Sequence, residues 1–221
     1  MKASVTATWI RSNIRLFALL TIISMLPILC FAQPSNLVTA PVNPASRIAL
    51  QGQRPTWAVP ENDQSPVAGD TLLEHLTLVL KRSPRQQKAL EKFLQQLQDP
   101  ASPNYHHWLT PVQFGKRFGA PQHDIDAVSG WLLSRGLRVN GVANNRVMVD
   151  FSGEAAQVGA AFATELRHYV VNGEQRMGAA DDPHIPAALS GVIQSISGLY
   201  TVNDHPFNGM EQVQEIGRAH V

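Results

Sequence analysis

The 221-residue sequence contains a single cysteine, Cys30, so no intrachain disulfide is possible and stability must come from packing. Excess charge of one sign is also absent. Eighteen Lys and Arg stand against 17 Asp and Glu, which removes the electrostatic basis for a nucleic-acid partner. Signatures of chemistry are missing as well. No serine sits in a G-x-S-x-G turn, and the nearest stretch, Ser190 to Gly198, has small flanks but no strand-to-helix context. Glu74-His75 has no second histidine four residues on, and the adjacent His106 and His107 would point in different directions in any regular element. There is no P-loop and no dinucleotide fingerprint. Asp181-Asp182-Pro183 reads as a turn rather than a catalytic acid pair or a calcium site. The expectation is a chain without catalytic, cofactor-binding or metal-binding residues, of a length that suits one domain with tails.

The N-terminal stretch carries Lys2, Arg11 and Arg15, and its apolar run Leu16 to Phe31 is broken only by Thr21, Ser24 and Pro27. This order reads as a secretory signal over residues 1–32, because a run of about 16 residues is shorter than the roughly 20 a spanning helix needs. A membrane anchor and a lipid-modified Cys30 are the alternatives, the latter disfavoured by bulky Leu29 where a small side chain is wanted. Cleavage after Ala32 would leave 15 basic and 17 acidic residues and no thiol. Such a chain has no polybasic membrane patch and no stable anchor, and would be secreted or periplasmic.

Residues 33–69 are dense in Pro, Asn, Gln and Ser and read as an extended leader with little core of its own, its Trp57 docked on the adjoining domain. Leucines alternating over Leu72–Leu80 predict a strand buried on at least one face, with His75 as a structural residue within it. Ser83 before Pro84 predicts a helix start, and Leu90, Phe93, Leu94 and Leu97 recur at helical spacing as far as Asp99-Pro100. Arg85, Lys88 and Lys92 fall on the opposite, solvated face. A short helix is predicted over Pro111 to Phe118 and a longer one over Pro121 to Arg135. Asp124 and Asp126 lie in the first turn of the longer one, and Gly136 closes it. Leu137 to Val142 and Arg146 to Phe151 read as a hairpin and Glu154 to Phe162 as an Ala-rich helix. Glu165 to Val171 comes next as a strand that turns at Asn172-Gly173 into Gln175 to Met177. The order strand, helix, helix, hairpin, helix, strand predicts an α+β fold of ferredoxin-like (split βαβ) type, an antiparallel sheet with helices packed on one face.

One segment stands out: Ser102, Pro103, Tyr105, His106, Trp108, Leu109, Thr110, Pro111 and Phe114. Physically it reads as an aromatic clamp. Tyr105 and Trp108 would bury large area, Thr110 would cap the next helix and Pro111 would occupy its first position. The wording S-P-x-Y-H-x-W-L-T-P-x-x-F is similar to the hallmark stretch of the pro-kumamolisin activation domain, the propeptide of the sedolisin (serine-carboxyl) peptidases. With its flanking strand and hairpin the resemblance covers about residues 70–202. It implies a propeptide fold and a cognate protease domain as intramolecular partner, which the chain would help to fold, block at its cleft and leave in acid. The family's protease domain uses a Ser with a Glu and an Asp, and binds calcium. None of those motifs is present, so no catalytic role transfers to any residue here. Residues 203–215 would then be the linker toward that domain, and Ile216 to Val221 resembles a translated sequencing adapter, which implies a truncated precursor.

Under this resemblance the sheet face would cover the protease. Acid release would rest on carboxylates among Asp124, Asp126, Asp150, Asp181 and Asp182, with His106 or His107 acting nearer pH 6.5. The rival readings are a free-standing exported binding module, including a stand-alone protease inhibitor, and an exported enzyme of unrecognised type.

Overall fold

Four α-helices and nine strands are present in the computed structural model, which describes residues 36–200. In chain order they begin with β1 (Arg47–Ala49), β2 (Asp63–Pro66) and β3 (Leu72–Leu80), followed by α1 (Pro84–Gln98), α2 (Pro111–Phe118) and α3 (Gln122–Ser134). The hairpin β4 (Arg138–Val142) and β5 (Met148–Glu154) leads into α4 (Ala155–Phe162), and then come β6 (Leu166–Val171), β7 (Glu174–Ala179), β8 (His184–Pro186) and β9 (Ile193–Ser197). The expected signal segment 1–32 and linker and tail 203–221 lie outside the described residues.

Local chemistry sets the helix starts. Ser83 and Gln86 form a reciprocal capping box at α1, as Thr110 and Gln113 do at α2, with Pro84 and Pro111 at the first helical position of each. The chain turns from α3 into β4 at Gly136, whose φ of +76° is open to glycine without strain.

The fold is α+β. Its main sheet has the strand order β4-β5-β3-β9, every neighbouring pair antiparallel, with helices in the β3-to-β4 and β5-to-β9 connections. The core-facing side chains are Leu76, Leu78 and Leu80 of β3, Val149 and Phe151 of β5, and Ile193 and Ile196 of β9. Simple alternation fails at one place. His75 adopts φ +55°, and the β3–β5 register shifts between Leu73 and Leu76, so both of those leucines face the core while Leu72 is exposed.

The helices divide between two hydrophobic clusters. From α3, Ile125, Val128, Trp131 and Leu132 join the main core, as do Val158, Ala161 and Phe162 of α4, where Phe162 meets both Trp131 and Phe151. By contrast α1 and α2 close on a separate cluster of Leu90, Phe93, Leu97 and Phe118, while Leu94 is exposed. Two glycines seat α2 on the β4–β5 turn. A Cβ at Gly115 would lie 2.5 Å from the Asn144 carbonyl oxygen, and one at Gly119 2.6 Å from that of Asn145.

The stretch expected as a leader is built into the domain. Strand β1 pairs with β8, and β2 extends β6 and β7 into a three-stranded sheet. Val38, Leu50 and Val67 enter the main core, and Trp57 packs on Gly178 and edge-on to Tyr169. Two carboxylates fasten it. Buried Asp124 accepts hydrogen bonds from the Leu37 and Val38 amides at 2.8 and 3.1 Å. Asp182 accepts from the amides of Gly52, Gln53 and Arg54. Burial pushes the Asp182 carboxyl up, but the three amide donors outweigh it and hold the group below its ordinary value. Arg47 places its guanidinium on the Ala160 and Ala161 carbonyls at the C-terminal end of α4, where the helix dipole favours a cation.

Two helical glycines are expected to respond with opposite signs to the same substitution. Gly115→Ala forces a methyl against backbone and should destabilise by about 1–3 kcal/mol. Gly130→Ala meets nothing within 4 Å and should stabilise by roughly 0.5–1 kcal/mol. Urea denaturation of both variants checks this, and the same sign for both would refute the close seating of α2.

Candidate interaction surface

The loop from Ser102 to Trp108 turns tightly between α1 and α2. The Tyr105 amide donates to the Ser102 carbonyl, the His106 amide to the Leu97 carbonyl, and the Trp108 amide to the His106 carbonyl. Pro103 is exposed, and the Ser102 hydroxyl accepts from the Asn104 amide. His106 sits at φ +55°, uncommon for a residue with a Cβ. This reversal stacks the Tyr105 and His106 rings at 3.8 Å, with the Trp108 ring 6.3 Å from His106 and nearly parallel to it.

The expected burial of Tyr105 and Trp108 is therefore not what the fold does. Trp108 is 70% exposed and Tyr105 also faces solvent. The left-handed turn leans the rings on one another at the surface. It is Leu109 and Phe114 that pack on the α1–α2 cluster, with the Arg82 guanidinium over the Phe114 ring and bonded to the Phe118 carbonyl. His106 and His107 are both exposed.

Opposite the helices, the main sheet turns a second face to solvent. Thr77 lies between Asp150 and Ser197, and Val79 between Met148 and Ser195. A polar network crosses three strands there. The His75 ring Nδ1 lies 2.9 Å from Asp150 Oδ2, and Asn140 Nδ2 donates to Asp150 Oδ1 at 3.0 Å and to Ser152 Oγ at 2.7 Å. The His75 amide also donates to Ser152 Oγ, and Arg138 Nε donates to Asn140 Oδ1. These bonds hold the bulged residue in its unusual conformation. A shallow groove of about 330 Å³ opens beside the network, lined by Thr77, Asn140, Val142, Met148 and Asp150.

The five carboxylates singled out from sequence are thereby separated. Asp182 is spent on backbone amides within the fold, Asp124 on two amides with the His123 ring Nδ1 3.1 Å from its Oδ1, and Asp126 accepts from Gln122 on its own helix. Asp181 is exposed beside Thr164, which donates to its carbonyl. Asp150 is the member placed on the outer sheet face. Its partner His75 reads from sequence only as a structural residue, because neither the bulge nor the cross-strand pairing is visible in one strand. Among the described residues, no cluster of three or more His, Cys, Asp or Glu is arranged to hold a metal ion. No helix there is long and apolar enough to cross a membrane.

Charge on this network depends on pH in a defined way. The hydrogen bond and charge of Asp150 raise the His75 pKa above its ordinary 6.5, Glu74 assisting and Arg138 opposing. Hydrogen bonds from His75 and Asn140 lower that of Asp150 below its ordinary 3.8, with Arg138 adding to the effect. The His75 contribution to stability is complete below its unfolded pKa and is lost as pH rises through the raised value. That of Asp150 is complete above its unfolded pKa and is lost as pH falls through the depressed value. Replacing His75 with Asn, which tolerates positive φ, removes the ring and spares the bulge. The stability gap between wild type and His75→Asn, read as urea midpoints from pH 2 to 9, should be widest between about pH 4 and 6.5 and close on either side. A gap independent of pH would show that the pair is not ionic.

The chain is 31% identical over 129 residues to xanthomonalisin from Xanthomonas sp. (strain T-22), covering 58% of this chain and 15% of that protein. It is 26% identical over 176 residues to sedolisin from Pseudomonas sp. (strain 101), covering 79% of this chain and 29% of that protein. The chain thus spans less than a third of either relative. The family described as pro-kumamolisin, activation domain, matches residues 61–202, which takes in β2 and so begins inside the stretch expected as a leader. The chain belongs to the pro-kumamolisin activation-domain family.

Proposed function

We propose that this chain is the propeptide region of a secreted, acid-activated serine-carboxyl endopeptidase precursor, acting as intramolecular chaperone and inhibitor of the catalytic domain. The observation that carries the reading is the activation-domain match across 61–202, which spans the main sheet with its solvent-facing side. The work of such a chain is binding. The outer face of the main sheet docks on the protease, with β9 as its edge strand beside β3. Calcium, under this reading, belongs to the catalytic domain and not to residues of this chain.

Acid release has a physical basis in the same face. As pH falls through the depressed range of Asp150, its carboxylate is neutralised while His75 and Arg138 remain positive. The face then carries uncompensated positive charge, and any partner cation paired with Asp150 loses its counter-charge. A single exposed pair contributes only about 0–1 kcal/mol. A sharp release therefore needs further pairs made across the interface.

Two measurements test this. Sequencing the locus past the codon for Glu215 should show an open frame running into a catalytic domain, whereas a stop codon would make the chain a stand-alone inhibitor or binding module. The purified chain should bind that catalytic domain, expressed separately, and its affinity should fall at least tenfold between pH 7 and pH 3. A flat profile would overturn acid release.

A further inference from the structure

The outer sheet face does not end at the sheet. Beside the groove over Thr77, Met148 and Asp150 lies a second, of about 280 Å³, lined by Val112 of α2, Gln122 and Ile125 of α3, and Asn144 and Arg146 of the hairpin turn. Val142 and Ala143 line both grooves, so the two depressions form one track from the sheet across the β4–β5 turn to α2. The close seating of Gly115 and Gly119 on that turn makes the track rigid, because α2 cannot slide over backbone atoms already in van der Waals contact.

Apolar side chains line the track. Met148 and Val142 are each 38% exposed and Val112 is 47% exposed. Trp108, four residues before Val112 and just outside the cap of the same helix, is the most exposed large hydrophobic side chain among the described residues. The fold gains little from them where they stand. A mostly exposed tryptophan held by a left-handed residue beside it is what a protein retains when the ring is buried in a complex.

We propose that the catalytic domain contacts this chain over a bipartite surface, the outer sheet face and the exposed side of α2, with Trp108 as the anchor of the second part. This rests on the propeptide reading above. The occupant is argued from the comparisons: matched relatives carry more than two thirds of their length beyond the region shared with this chain, and a partner on the same polypeptide meets the surface at high effective concentration. Such a partner can use a broad surface of modest patches, and needs no single deep pocket.

The test uses the 221-residue chain and the separately expressed catalytic domain from the same reading frame, with affinity measured at pH 7. Trp108→Ala and the pair Val112→Asp with Val142→Asp are compared with wild type. Each should weaken binding by about 30-fold, the scale of an interface hot spot. Because all three side chains are exposed, thermal midpoints should stay within a few degrees of wild type, and this control separates lost contact from lost fold. Tight binding by wild type and by both variants alike would overturn the bipartite surface and leave the propeptide reading standing. Failure of the wild-type chain to bind would overturn the propeptide reading itself. Dimerisation of the wild-type chain at micromolar concentration, abolished by Trp108→Ala, would assign the surface to a second copy and overturn the proposal.

Discussion

The geometry of β3 is the constraint on which the other parts depend. It is the inner strand between β5 and β9, and its leucines at 76, 78 and 80 face the helices. Side chains on a strand alternate strictly, so committing those three to the core commits Thr77 and Val79 to the other side. The solvent-facing surface is thus a direct consequence of packing on the opposite side. The bulge at His75 extends the effect. By inserting a residue it returns Leu73 to the core and turns the His75 ring outward onto Asp150. One irregularity therefore serves the core and arranges the polar network of the outer face.

The parts of this fold legible in sequence are those set by interactions between near neighbours. The caps Ser83 and Thr110, the prolines Pro84 and Pro111 at the first helical positions, and Asn172-Gly173 at the β6–β7 turn act over three residues or fewer, and each stands where the sequence pattern places it, while Gln86 and Gln113 complete the two capping boxes in the structure. The contacts hidden from sequence act across the chain. Asp124 holds amides 86 and 87 residues away, and Asp182 holds amides up to 130 residues away. Composition marks residues 33–69 as poor in apolar side chains, and they are. The place of residues 36–69 in the fold comes in large part from backbone amides and strand edges, which any sequence supplies equally, and from the scattered anchors Val38, Leu50, Trp57 and Val67, of which Trp57 alone stands out in the sequence.

The candidate surface is partly legible for the same reason. The aromatic density of Tyr105, His106 and Trp108 is visible, but its direction is set by one backbone torsion at His106. Aromatic residues before a helix cap are ordinarily packed beneath it, and the left-handed turn reverses that here. In the same way the mean exposure of a strand face cannot be read from one strand. His75, Asn140 and Asp150 lie on three different strands, and their meeting is fixed by register alone.

The carboxylates of this fold differ in what satisfies them. Asp182 directs its carboxylate at three backbone amides, which carry no titrating proton in the range of interest, while Asp124 accepts from two amides and also lies 3.1 Å from the His123 ring Nδ1. On the outer side, Asp150 is paired with His75, an exposed group that does change charge, and with Asn140, which does not. Protonation of Asp150 therefore changes the charge of an exposed pair, whereas the amides that hold Asp182 keep the same charge across that range.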